Sequence, residues 1–357
     1  MGDTTFDYII VGAGTAGCLL ANRLSADPGK RVLLLEAGTR DDYPWIHIPV
    51  GYLYCMGNPR TDWRFVTEPQ AGLNGRSLKY PRGKTLGGCS SINGMIYMRG
   101  QARDYDHWAA LLGDPAWNWE NSLPYFMLHE DHHLGASPVH GARTRRPAML
   151  DDPQTPYHRL LAQRQAGGEW RVDKQRLRWE VLDAFAQAAV QAGIAATRDF
   201  NNGDNHGVGY FEVNQKNGWR WNTAKAFLRP ACSGRPNFTL WTGSQVAKLV
   251  IEPARADAPM RCTGAQVWNG REMVQVHARA ELILCAGSVA TPQILQLCGL
   301  GPAEVLQAKG ITVLRDIPGV GRNLQDHLQI RSVFKVQHTV TLNQLAHSLW
   351  GKAAMGL

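Results

Sequence analysis

The side chains best placed for chemistry gather in glycine-bearing segments, of which the amino-terminal one is the most complete. Phe6-Asp7-Tyr8-Ile9-Ile10-Val11 is an apolar run of strand type, and Gly12-Ala13-Gly14-Thr15-Ala16-Gly17 follows at once. A helical stretch from Ala16 to Ser25 comes next, then a second strand from Arg31 to Leu35 that ends at Glu36 and Ala37. In this order a G-x-G-x-x-G string has a mechanism. Gly12 makes the turn, Gly14 lets the backbone approach a pyrophosphate, and Gly17 packs helix on strand. The amino-terminal end of the helix, at Thr15 and Ala16, offers partial positive charge to the diphosphate. Glu36 falls where a carboxylate accepts hydrogen bonds from the adenosine ribose hydroxyls. A dinucleotide is the expected ligand.

A second segment, Arg82-Gly83-Lys84-Thr85-Leu86-Gly87-Gly88-Cys89-Ser90-Ser91-Ile92-Asn93-Gly94-Met95-Ile96, continues to Gly100. Glycine pairs let the main chain fold close to a flat ligand, and the hydroxyl run can donate to phosphate or ring oxygens. Composition alone fits an ordinary glycine-rich surface loop equally well. A third segment, Gly287 to Gly301, follows a strand read at Glu281 to Cys285. There Thr291 is expected to cap a helix, Pro292 to open it and Gly299 to end it.

Together the three segments resemble the glucose–methanol–choline (GMC) flavin oxidoreductases, in particular bacterial choline dehydrogenase-like and alcohol dehydrogenase members. Gly83–Gly100 corresponds to the first family signature and Gly287–Gly301 to the second. Gly319-Val320-Gly321-Arg322-Asn323-Leu324-Gln325-Asp326-His327 resembles a third recurrent block, and the likeness runs from Phe6 to the end of the chain. It implies an α/β fold: a Rossmann-like FAD-binding domain interrupted by an α+β substrate domain with an antiparallel sheet, the latter incomplete.

The implied division is 1–141 for the first part of the FAD domain, 142–166 for an atypical insertion and 167–235 for the first part of the substrate domain. Residues 236–328 then return to the FAD domain, and 329–357 begin the remaining substrate domain. Within the middle block, Glu180 to Ala192 reads as an amphipathic helix stopped by Gly193, and Tyr210 to Asn222 as strand, turn and strand.

The resemblance further implies FAD-dependent oxidation of a primary alcohol, choline-like or another small alcohol, to the aldehyde by hydride transfer to flavin N5. The stretch Arg82–Ile96, with Thr85, Gly87, Gly88, Ser91, Asn93, Gly94 and Met95, would run along the pyrophosphate and isoalloxazine. Val246 would meet the adenine end, and Ala286 and Gly287 would continue the second glycine turn. Some relatives carry a His just before the signature Asn and bond it covalently to the flavin. Ile92 stands there, so FAD is expected to be non-covalent. The family's catalytic His, paired with His or Asn, is expected beyond Leu357. On this reading no catalytic residue lies within the chain, which looks truncated at its carboxyl terminus.

His129-Glu130-Asp131-His132-His133 matches H-E-x-x-H literally. The extended zinc-protease pattern fails at Ala136 and Val139, so polar residues closing a surface helix are the better reading and no metal is expected. His327 is read as structural. The insertion Ala142 to Ala166 departs from the family pattern and is read as an exposed segment.

At 357 residues, with 44% hydrophobic and 19% charged side chains, the chain has the composition of a globular protein large enough for two domains. No apolar run approaches the length of a membrane span. Much of the formal charge of +8 sits between Arg143 and Arg178. A solvated face explains it better than a nucleic-acid stripe, so no nucleic-acid partner is expected. Seven cysteines without ligand spacing suit a reducing compartment. A cytoplasmic protein is expected, with room for weak peripheral attraction to an anionic membrane. The electron acceptor, oxygen or quinone, stays open. So do two alternatives: a catalytically silent FAD-binding fragment, and a nicotinamide-dependent dehydrogenase that leaves Gly83–Gly100 without a purpose.

Overall fold

The computed structural model describes residues 4–135, 137, 139–140, 168–252, 259–327, 332–341, 343–344, 347 and 351. The insertion expected at 142–166 lies outside them. The chain divides into two compact units, one of residues 1–43, 53–92 and 222–331 and the other of 44–52, 93–221 and 332–357. These limits differ from the expected ones, since 93–135 groups with the middle of the chain.

The first unit is built on a six-stranded sheet in the order Phe238–Trp241, Val32–Leu35, Thr5–Val11, Met273–Leu284, Arg261–Trp268, Gln245–Glu252. The first four strands run parallel and the last two join antiparallel. Unbroken apolar runs suit central parallel strands, whose two faces are both covered. Ile9 and Ile10 accordingly point to opposite faces, and both are fully buried. Ile9, Val11, Leu33 and Leu35 share one core with Ile294 and Cys298, from the third glycine segment. Phe6 joins that same core although its spacing from Ile9 is odd. The register with Met273–Leu284 slips between Phe6 and Tyr8, where that partner strand carries one extra residue.

The second unit carries a four-stranded sheet in the order Ile96–Tyr97, Glu212–Val213, Trp170–Lys174, Glu130–His132. It is antiparallel except for the parallel pair of Glu130–His132 with Trp170–Lys174. The strand, turn and strand expected over 210–222 includes the hairpin Gln215–Lys216 with Trp219–Arg220. Asn217 and Gly218 form its turn at φ 53° and 84°. The helix Glu180–Gln191 forms as expected, yet its apolar residues are not covered: Leu182 is 44% and Phe185 66% exposed.

A buried ionic chain holds this unit together. Arg99 Nη2 donates to Glu130 Oε1 at 2.9 Å, both side chains fully buried, and His140 bridges Glu130 and Asp199 at 3.1 Å each. Burial alone would lower His140. Hydrogen bonds donated by the ring to Asp199 and Glu130 outweigh it and raise the ring to about 9. The literal H-E-x-x-H string is thereby broken up: His129 ends the helix Trp119–His129, Glu130 opens a strand, and His133 lies beyond that strand.

No helix among the described residues is long and apolar enough to cross a membrane. Of the basic run, residues 143–164 lie outside the described set, while Arg171 pairs with Asp131 and Asp173, and Arg178 with Asp183.

Candidate dinucleotide cleft

In the first unit Val11, Leu35 and Leu284 stand level at the carboxyl ends of adjacent parallel strands. The chain leaves Thr5–Val11 toward one side of the sheet and returns later on the other, which opens a crevice above that strand. Gly12 turns there at φ 101°, and a Cβ on it would lie 2.5 Å from the Cys285 carbonyl oxygen. The first bond inside the following helix runs from Cys18 N–H to Gly14 O at 3.0 Å. The amides of Thr15, Ala16 and Gly17 therefore have no intrahelical acceptor. A Cβ on Gly14 would meet nothing within 4 Å.

Glu36 sits beside this turn and is 6% exposed. Its Oε2 accepts from the Ala13 amide at 2.9 Å and its Oε1 from the Gly38 amide at 2.7 Å. Burial pushes the carboxyl up to about 7, against the lowering effect of the two amides and Lys84. Each carboxylate oxygen keeps a second lone pair, so two hydroxyl donors can still be accommodated.

The signature segment lies on the first glycine turn. Gly87 N–H donates to Ala13 O at 2.8 Å, and Gly88, at φ 53°, comes so close that a Cβ would stand 2.8 Å from Gly14 Cα. A buried polar frame holds it from behind. Ser91 Oγ donates to Leu86 O at 2.6 Å, Thr85 Oγ1 to Thr39 O at 3.1 Å, and Asn222 Nδ2 to Ser91 Oγ at 2.9 Å. Ser90 Oγ donates to Gly87 O at 2.6 Å. The hydroxyl protons of Thr85, Ser90 and Ser91 are thus committed to the backbone rather than offered to a ligand, which corrects the expectation that this run donates outward.

These loops enclose a cleft of about 870 Å³. Of the expected site residues, Gly12, Gly14, Thr15, Ala16, Glu36, Ala37, Arg82, Gly88, Val246, Ala286 and Gly287 line it. Gly17, Thr85, Gly87 and Ser91 belong to the same unit but support the lining from beneath. Asn93, Gly94, Met95 and Ile96 fall in the second unit. There Asn93 Oδ1 accepts from the Met95 amide at 3.0 Å and from Arg220 Nη1 at 2.9 Å, and Ile96 pairs with Val213.

The helix of the third segment spans Gly287–Leu297 and is capped by Ala286, so Thr291 is not its cap and Pro292 lies inside it. The strand before it ends at Leu284, and Gly287, at φ 85°, turns the chain directly into the helix. Its first-turn amides consequently reach the cleft, which Ser288 and Val289 also line.

Trp63 and Phe65 were not foreseen in the lining. Their rings stack at 5.8 Å and 4°, with Lys84 Nζ 4.5 Å over Trp63. Alternating aromatics in Asp62-Trp63-Arg64-Phe65 are the signal available for them. Ser244 and Gln245, beside Val246, carry no such signal.

The sequence model of the GMC oxidoreductases matches residues 6–329. The chain is 40% identical over 326 residues to an alcohol dehydrogenase (acceptor) of Pseudomonas putida, covering 91% of this chain and 54% of that protein. It is 36% identical to the mitochondrial choline dehydrogenase of Homo sapiens, covering 99% of this chain and 55% of the other. Among solved structures, pyridoxine 4-oxidase from Mesorbium loti superposes with a TM-score of 0.76 at 34% identity, over 88% of this chain and 55% of that one. An FAD-dependent oxidoreductase from Chaetomium thermophilum gives a TM-score of 0.74 at 30% identity, over 90% and 52%. The chain spans about half the length of the curated relatives it matches. These likenesses support FAD as the dinucleotide suited to this cleft. With the family match covering nearly the whole chain, the protein belongs to the GMC oxidoreductase family.

Proposed function

We propose that the cleft binds FAD without a covalent bond and serves the oxidation of a primary alcohol, choline-like or another small alcohol, to its aldehyde. The observation that carries this reading is the convergence of two helix amino-terminal ends, at Thr15 and Gly287, with the buried Glu36 carboxylate around one cleft. The two helix ends and Arg82 suit a diphosphate. Glu36, with its remaining lone pairs, suits the ribose hydroxyls, and the backbone near Val246 the adenine. When bound, FAD supplies the hydride acceptor.

The chain's own part is to bind, to orient and to exclude water. Among the described residues, no histidine lines the cleft. Proton removal from the alcohol calls for a positioned base, most often His, and the described lining offers none, so we assign those residues to cofactor binding alone. The electron acceptor, oxygen or a quinone, is left to the longer relatives to suggest.

Anaerobic mixing of the FAD-loaded chain with choline and a panel of primary alcohols is the test. The flavin should hold its yellow colour on the mixing timescale. Rapid bleaching would place a base within residues 1–357 and overturn the assignment. A chain purified with a nicotinamide and no flavin would overturn the FAD reading itself.

A further inference from the structure

A second constellation of titratable side chains lies in the second unit, and none of its members lines the cleft. His132 ends the strand Glu130–His132, His133 follows it, and their rings stack 4.6 Å apart at 29°. Glu212, opening the strand Glu212–Val213, brings Oε1 to 2.9 Å from His132 Nε2 and 2.8 Å from His133 Nε2. The sheet makes the meeting possible, because both strands flank Trp170–Lys174: His132 pairs with Val172 and Val213 with Asp173.

Three features distinguish this group from an ordinary surface cluster. The His132 side chain is 1% exposed, and its Nε2 lies 2.9 Å from Glu212 Oε1. A buried imidazole and a neighbouring imidazole converging on one carboxylate oxygen form the donor set of a transition-metal site. Glu212 is also oriented, since Asn201 Nδ2 donates to its Oε2 at 3.2 Å and leaves Oε1 for the two rings. Such a hydrogen bond to the ligand carboxylate is characteristic of metal sites. The spacing is suitable too. A tetrahedral ion with bonds of about 2.0–2.1 Å sets its ligands about 3.3 Å apart, and the three ligand atoms lie within 4.8 Å of one another.

We propose that His132, His133 and Glu212 bind a divalent transition metal of the zinc, cobalt or nickel type. The two Nε2 atoms and Glu212 Oε1 are its ligands, and water completes the shell. Imidazole and carboxylate together favour these ions over calcium or magnesium. His132 Nδ1 accepts a hydrogen bond from the Leu134 amide at 3.3 Å. Ligation through Nε2 leaves the proton on Nδ1, so that long contact is exchanged for the ion. The partly exposed side of His133 and Glu212 gives the metal its way in. This site stands independently of the proposed function.

The test uses the chelator-stripped chain titrated with Co²⁺ and followed by visible absorbance. One Co²⁺ per chain with d–d bands is expected, with displacement by Zn²⁺. Glu212→Gln and His133→Ala should each weaken binding more than tenfold. His206→Ala, at an exposed site elsewhere, should leave the titration unchanged. Should both ligand variants misfold, X-ray absorption of the cobalt-loaded wild type decides, and two imidazoles on the metal are expected. Absence of d–d bands, equal binding by folded variants, or a metal with fewer than two imidazoles would overturn the proposal.

Discussion

Glu36 Oε2 accepts the Ala13 amide at 2.9 Å, which fastens the end of the second strand to the first glycine turn. The carboxylate thus has structural partners as well as a place in the cleft lining. Replacing it should cost the ribose contacts, and a hydrogen bond to a charged group is worth about 1.5–3 kcal/mol. Glu36→Ala should weaken FAD binding roughly ten- to a hundredfold. An unchanged dissociation constant in a flavin-fluorescence titration would remove Glu36 from the site.

The same carboxyl predicts a pH dependence. Burial raises it from 4.5 to about 7 in the folded chain. A raised acid contributes stability that is fully present below pH 4.5 and is lost as pH rises through 7. For the FAD-free chain the loss should approach roughly 3 kcal/mol, at 1.36 kcal/mol per unit. Urea unfolding at pH 5 and pH 8 should show it, and Glu36→Gln should flatten it. FAD affinity should move the other way and tighten across the same window, because the ionised carboxylate is the better acceptor. An affinity that weakens from pH 6 to pH 8 would speak against the ribose role.

Much of this site was legible in the sequence. Gly12-Ala13-Gly14 between an apolar strand and a helix, with Glu36 after the next strand, marks the turn and the acid by spacing alone. Trp63 and Phe65 escaped because their only signal, two alternating aromatics, is short and is not tied to any glycine segment. The roles of Thr85, Ser90 and Ser91 escaped for another reason. A hydroxyl's composition is visible in sequence, but whether its proton goes to a ligand or to a backbone carbonyl depends on tertiary packing. The helix start at Gly287 was misplaced because Thr291-Pro292 imitates a cap, while the turn at Gly287 had already opened the helix. Fold class was readable from strand composition. The parallel pairing of Glu130–His132 with Trp170–Lys174 was not, since it joins distant segments.

Two glycines that meet across the cleft should respond differently to alanine. Gly88 has φ 53° and no space for a Cβ, 2.8 Å from Gly14 Cα. Gly88→Ala should lower the melting temperature of the FAD-free chain, with a cost of about 1–2 kcal/mol from the left-handed backbone alone. Gly14→Ala has open space, so the FAD-free chain should melt as the wild type does while FAD affinity falls. Equal melting temperatures for the two variants would contradict the close approach of the loops.

The flavin should be held without a covalent bond, because Ile92, at the position where some relatives attach it, has no nucleophilic atom and is buried. Acid precipitation of the yellow protein should release the colour into the supernatant. Colour that stays with the pellet would require an attachment point elsewhere.

The central claim is that the cleft between Gly12, Glu36 and Gly287 is an FAD site, and a direct binding titration tests it. Flavin fluorescence should be quenched with one FAD bound per folded chain, and a large excess of NAD should leave the titration unchanged. A folded chain that fails to quench FAD, or one from which NAD displaces it at comparable concentration, would contradict the account.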